Sequence, residues 1–108
     1  MPQSQKRLLE QLRQLVGTSS ISSTDPRWDQ GNRAVIDLLA GWLADMGFAV
    51  EVQALTPRGD KANLIATLGS GPGGLVLSGH TDTVPFDEGR WQSDPLLLTE
   101  RDNRLYGL

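Results

Sequence analysis

The sequence predicts an α/β fold, a mixed sheet flanked by helices. Three observations carry that expectation. Two early stretches repeat their apolar residues at helical spacing, and from Phe48 the period drops from 3.6 to 2. Leu75-Val76-Leu77 is then an apolar run of the kind that fills a strand covered on both faces. The order helix, helix, strand, strand, strand favours helices laid against a sheet.

Ser4 is a candidate N-cap for the first helix, with Leu8, Leu12, Leu15 and Val16 on one stripe until Gly17 ends it. The Ser/Thr-rich stretch from Thr18 to Pro26 reads as a loop. In the second helix Val35, Leu38, Leu39, Trp42, Leu43 and Met46 share a face. Gly47 sits where a left-handed C-terminal residue belongs. Phe48, Val50 and Val52 alternate with Ala49, Glu51 and Gln53 as a strand, Thr56 to Asp60 turns, and Asn63 to Leu68 returns. The glycine-rich turn Gly69 to Gly74 leads into Leu75-Val76-Leu77. After a loop from Thr81 to Arg90, Pro95–Thr99 and Leu105-Tyr106 pair across Arg101–Arg104 as a hairpin.

The chain ends at Tyr106-Gly107-Leu108, directly after a strand signal, so residues 1–108 read as part of a larger domain. A complete small domain is the alternative. Without cysteine there is no disulfide framework and no thiolate metal cluster. A net charge of −3 over 108 residues, spread along the chain, gives no footprint for nucleic acid. The polar N-terminus has no signal-peptide core, and no apolar run reaches the ~20 residues of a membrane span. The expectation is a cytoplasmic protein with no membrane or nucleic-acid partner.

The chemistry concentrates in Ser78-Gly79-His80-Thr81-Asp82-Thr83-Val84-Pro85. If the strand continues through it, His80 and Asp82 project to one side, their Cα atoms about 6.5–7 Å apart. A carboxylate there can hold one imidazole nitrogen and leave the other free for a metal. The same spacing also suits a structural hydrogen-bonded pair. One histidine cannot complete a catalytic zinc site, which needs at least three protein ligands.

This eight-residue run resembles the first signature of the aminoacylase, acetylornithine deacetylase and succinyl-diaminopimelate desuccinylase family of two-zinc hydrolases. The likeness extends through Phe86–Trp91, Asp94-Pro95, Leu98–Glu100 and Leu105–Leu108. It implies that residues 1–108 are the N-terminal part of a two-zinc peptidase-type catalytic domain. His80 would be a metal ligand and Asp82 the residue that orients it, with zinc as the metal and cobalt or manganese as alternatives. The implied reaction is hydrolysis of an N-acyl amino acid, N-acetylornithine or N-acetylcitrulline, as in arginine biosynthesis. Other acyl groups or short peptides are the alternative substrates. The remaining ligands, the general-base Glu and any homodimer-forming lid would fall beyond Leu108.

Competing motifs read differently. Gly69–Gly74 fits G-x-G-x-x-G, but phosphate binding needs a helix N-terminus directly after it. Ser78, His80 and Asp82 have the residue types of a hydrolytic triad, yet share one local segment without a nucleophile elbow. Trp42 reads as core, Trp91 and Asp94 as loop anchors, and Asp87 and Glu88 as solvated loop. A non-catalytic α/β module, with His80 and Asp82 as a structural pair, is the reading outside enzymes.

Overall fold

Helix α1 runs from Gln3 to Val16 in the computed structural model, which describes residues 1–108. Pro2, not Ser4, stands at its N-cap, with φ −58° and ψ 150°. Proline's fixed φ suits the entry, and its carbonyl accepts from Gln5 and Lys6, so Ser4 lies inside the first turn. The inward stripe is also turned from the expected one. Leu9, Leu12, Leu15 and Val16 are half-buried, while Leu8 is exposed.

Helix α2, Arg33–Asp45, carries the best-buried residues of either helix, Val35 and Ile36. Leu38, Leu39, Trp42 and Leu43 are half-buried and Met46 is exposed, so Trp42 borders the core without being enclosed. Gly47 closes the helix at φ +90°, a backbone region costly for any residue with a Cβ. Its N–H reaches the Ala44 carbonyl at 2.9 Å.

The change of period at Phe48 produces strands β1, Ala49–Ala54, and β2, Ala62–Thr67. They pair antiparallel from Ala49↔Thr67 to Ala54↔Ala62 around the turn at Thr56–Gly59, and α2 packs on both. Further on, β3, Thr99–Arg101, and β4, Arg104–Tyr106, form the second hairpin. Asp102 and Asn103 turn it at φ 52° and 57°, the two positive values of a type I′ turn. Pro95–Leu98, expected as strand, is instead a turn in which the Asp94 carboxylate accepts from the Leu96 N–H.

The expectation of one mixed sheet is corrected. There are two separate two-stranded antiparallel sheets, and the one parallel contact is an isolated bridge between Ile21 and Thr83. The third strand at Leu75-Val76-Leu77 does not form. Those residues are 84–88% exposed, and no backbone hydrogen bond involves them. The physical reason is a lack of neighbours: a strand buried on both faces needs flanking strands and covering helices, and nothing in this chain lies against the run.

The same shortage shows in the whole molecule. Its accessible surface is 8196 Å², against about 5,900 Å² for a folded monomer of 11.8 kDa. Its radius of gyration is 16.0 Å, against about 13 Å for a folded domain of 100 residues. No helix is long and apolar enough to cross a membrane.

The loop between the helices is tied to β2 by polar contacts. Lys61 Nζ lies 2.9 and 2.8 Å from the two Asp29 carboxylate oxygens, and Ser23 N–H donates to Asp29 at 3.0 Å. The hydrogen bond from Lys61, then that from Ser23, holds the Asp29 carboxyl below the usual carboxylate range. Asp60 is lowered chiefly by the hydroxyl of Thr56, and Asp25 by Arg27.

Candidate metal centre

Period-two alternation holds along the signature although the run before it forms no strand. His80 and Asp82 are exposed, and Thr81 and Thr83 between and after them are half-buried. The inward pair is fastened. Thr83 N–H donates to the Ser20 carbonyl at 3.2 Å, and Ser22 N–H donates to the Thr83 carbonyl at 2.8 Å. The Ser20 hydroxyl donates to the Thr81 carbonyl, and Asn32 Nδ2 donates to Thr81 Oγ1 at 3.1 Å.

On the outward side, His80 Nδ1 lies 3.1 Å from Asp82 Oδ1 and 3.1 Å from the Asp82 carbonyl oxygen. Both neighbours are acceptors, an arrangement that favours, in the neutral ring, the tautomer with its proton on Nδ1 and its Nε2 lone pair free. The side chain is 80% exposed, and the Asp82 side chain 62%. This donor chemistry suits one ligand of a borderline metal such as zinc: a neutral imidazole nitrogen directed outward, its other nitrogen held by a carboxylate. No three His, Cys, Asp or Glu residues of this chain gather closely enough to hold a metal between them.

A groove of about 540 Å³ is lined by Asn32, Ile36 and Leu64 together with Gly79, His80 and Asp82.

No helix follows Gly74, so the glycine-rich turn offers no helix N-terminus to a phosphate. Ser78 makes no hydrogen bond to His80, and with the segment extended it is no nucleophile–base pair. Asp87 caps the short 3₁₀ turn Glu88–Arg90 by accepting from Gly89 N–H at 3.2 Å and pairs with Arg90 at 3.3 Å. Trp91 is half-buried near the second hairpin.

Sequence reasoning missed Ser20 and Asn32. Ser20 sits in a run of serines and threonines that look alike until one is found 5% exposed. An Asn just before a helix reads as an N-cap, but Asn32 makes no cap. Its amide instead exchanges two bonds of 2.9 Å with the backbone of Ala62 and makes one with Thr81.

No family model matches the chain. Individual proteins do. It is 59% identical over 100 residues to the acetylornithine deacetylase of Proteus mirabilis, 62% to that of Vibrio campbellii and 60% to that of Photorhabdus laumondii. Each alignment takes in 93% of this chain and 26% of the relative, so the chain spans about a quarter of the length of the curated relatives it matches. In sequence, then, the chain is related to the acetylornithine deacetylases along nearly its whole length and corresponds to one segment of them.

Proposed function

We propose that residues 1–108 are the N-terminal part of the catalytic domain of a metal-dependent deacetylase, cytoplasmic, of two-zinc peptidase-type fold. Its substrate is an N-acetyl amino acid, N-acetylornithine or N-acetylcitrulline, and its products are acetate and the free amine. The observation that carries this reading is the identity of about 60% to enzymes named for that activity. The bare apolar run Leu75–Leu77 and the excess accessible surface support the placement within a larger domain, since both call for more protein against this segment.

His80 is the ligand this segment contributes, through Nε2, and Asp82 accepts from Nδ1–H and so fixes both the tautomer and the ring plane. A divalent metal held there supplies a Lewis acid for the amide carbonyl and water activated at neutral pH. The general base and the other ligands belong to the remainder of the domain, as does any contact between subunits.

The test is acetate release from N-acetylornithine. The protein carrying this segment within its full reading frame is expected to release acetate, lose the activity to a chelator and regain it with zinc or cobalt. The 108-residue chain alone is expected to give none, because a catalytic zinc needs at least three protein ligands and the chain gathers no such set. Chelator-insensitive turnover, or turnover by the isolated chain, would contradict the reading.

A further inference from the structure

The side chains that make the signature face outward lie about fifty or sixty residues before it, at Asn32 and Ser20. In an extended segment, neighbouring residues point to opposite sides, so the residue between His80 and Asp82 decides where both of them go. Thr81 is held at two atoms, its carbonyl by the Ser20 hydroxyl and its Oγ1 by Asn32 Nδ2. Both holding groups are themselves fixed. Ser20 is buried, and Asn32 is locked in plane by its paired bonds to Ala62 at the start of β2.

We propose that Asn32 and Ser20 are positioning residues for the His80–Asp82 pair. By gripping Thr81 they set the facing of the segment and prevent a one-residue slip that would turn the imidazole inward. The parallel bridge between Ile21 and Thr83 holds the same register two residues further along. Within residues 1–108 the run before the signature has no backbone partner, so in this segment these contacts alone hold the register. The inference rests on the reading of His80 as a metal ligand, but it can be measured without metal or substrate.

His80 is the only histidine in residues 1–108, so a ¹⁵N-histidine label confined to this segment of the metal-free full-length protein reports this one ring. In the wild-type chain the neutral ring is expected to favour the Nδ1–H tautomer, the form that donates to Asp82. In Asp82→Ala the ratio should fall toward that of a free imidazole, with the backbone carbonyl of residue 82 as the one acceptor left to Nδ1. Thr81→Val keeps the shape and deletes the Oγ1 that Asn32 grips. The Nδ1–H to Nε2–H ratio is expected to fall by roughly 2–10-fold, the range set by losing one hydrogen bond. Asn32→Ala should move it the same way, and Thr81→Ser should restore the wild-type value. A purely structural loss would not be rescued by a serine that lacks the threonine methyl group. If Thr81→Val and Asn32→Ala both keep the wild-type ratio, the positioning role is wrong and the His80–Asp82 pair stands. If the wild-type chain already matches Asp82→Ala, the carboxylate does not hold the ring, and Asn32 and Ser20 have no pair to position.

Discussion

Replacing Asp82 by Asn is expected to weaken metal binding and turnover of the full-length protein by roughly 10–100-fold while leaving its fold intact. The substitution keeps size and shape but exchanges a charged acceptor for a neutral amide. The 3.1 Å contact to His80 Nδ1 then loses its charge assistance. The amide can also turn its NH₂ toward the ring, which favours the tautomer protonated on Nε2 and blocks the nitrogen meant for the metal. The Asp82 side chain is well exposed and makes no contact that holds the fold, so melting temperature should barely move. Calorimetric zinc titration and acetate release together check this. Unchanged affinity and rate would remove Asp82 from the site.

Gly31→Ala is expected to destabilise the chain by about 1–3 kcal/mol, the usual cost of forcing atoms into a filled space. A Cβ there would lie 2.1 Å from the Asp60 carbonyl oxygen and 2.9 Å from its carbon. Backbone cannot swing aside as a side chain can, so the β1–β2 turn must move away from the start of α2. That carbonyl also accepts from Arg33 N–H at 3.1 Å, one of the amides a helix leaves unpaired in its first turn. The displacement reaches the neighbouring Asn32, and through it Thr81. Gly41 provides the control. It lies inside α2, where an added methyl would meet nothing within 4 Å, so Gly41→Ala should stabilise by about 0.5–1 kcal/mol. Urea unfolding of both variants reads the two signs. Equal midpoints would show that the turn does not rest on Gly31.

What can be read from the sequence follows the range of the forces involved. Helices α1 and α2, the β1–β2 pair and the last hairpin are local, and their apolar period and turn residues announce them. The stripe of α1 is ambiguous by one position, because Leu8 and Leu9 both fit until a partner surface chooses Leu9. Leu75–Leu77 carries a strand pattern that this chain leaves without partners. His80 and Asp82 are legible because two-residue spacing is all their contact requires. Ser20, Gly31 and Asn32 are not, since their meaning depends on Thr81, Asp60 and Ala62, which are brought to them only by folding.

If His80 binds a divalent metal through Nε2 with Nδ1 held by Asp82, a crystal of the full-length protein grown with zinc will show it. Density for the ion should lie about 2.0–2.1 Å from His80 Nε2, with Asp82 on the far side of the ring. An ion coordinated elsewhere, with this imidazole turned from it or bound through Nδ1, would contradict the account.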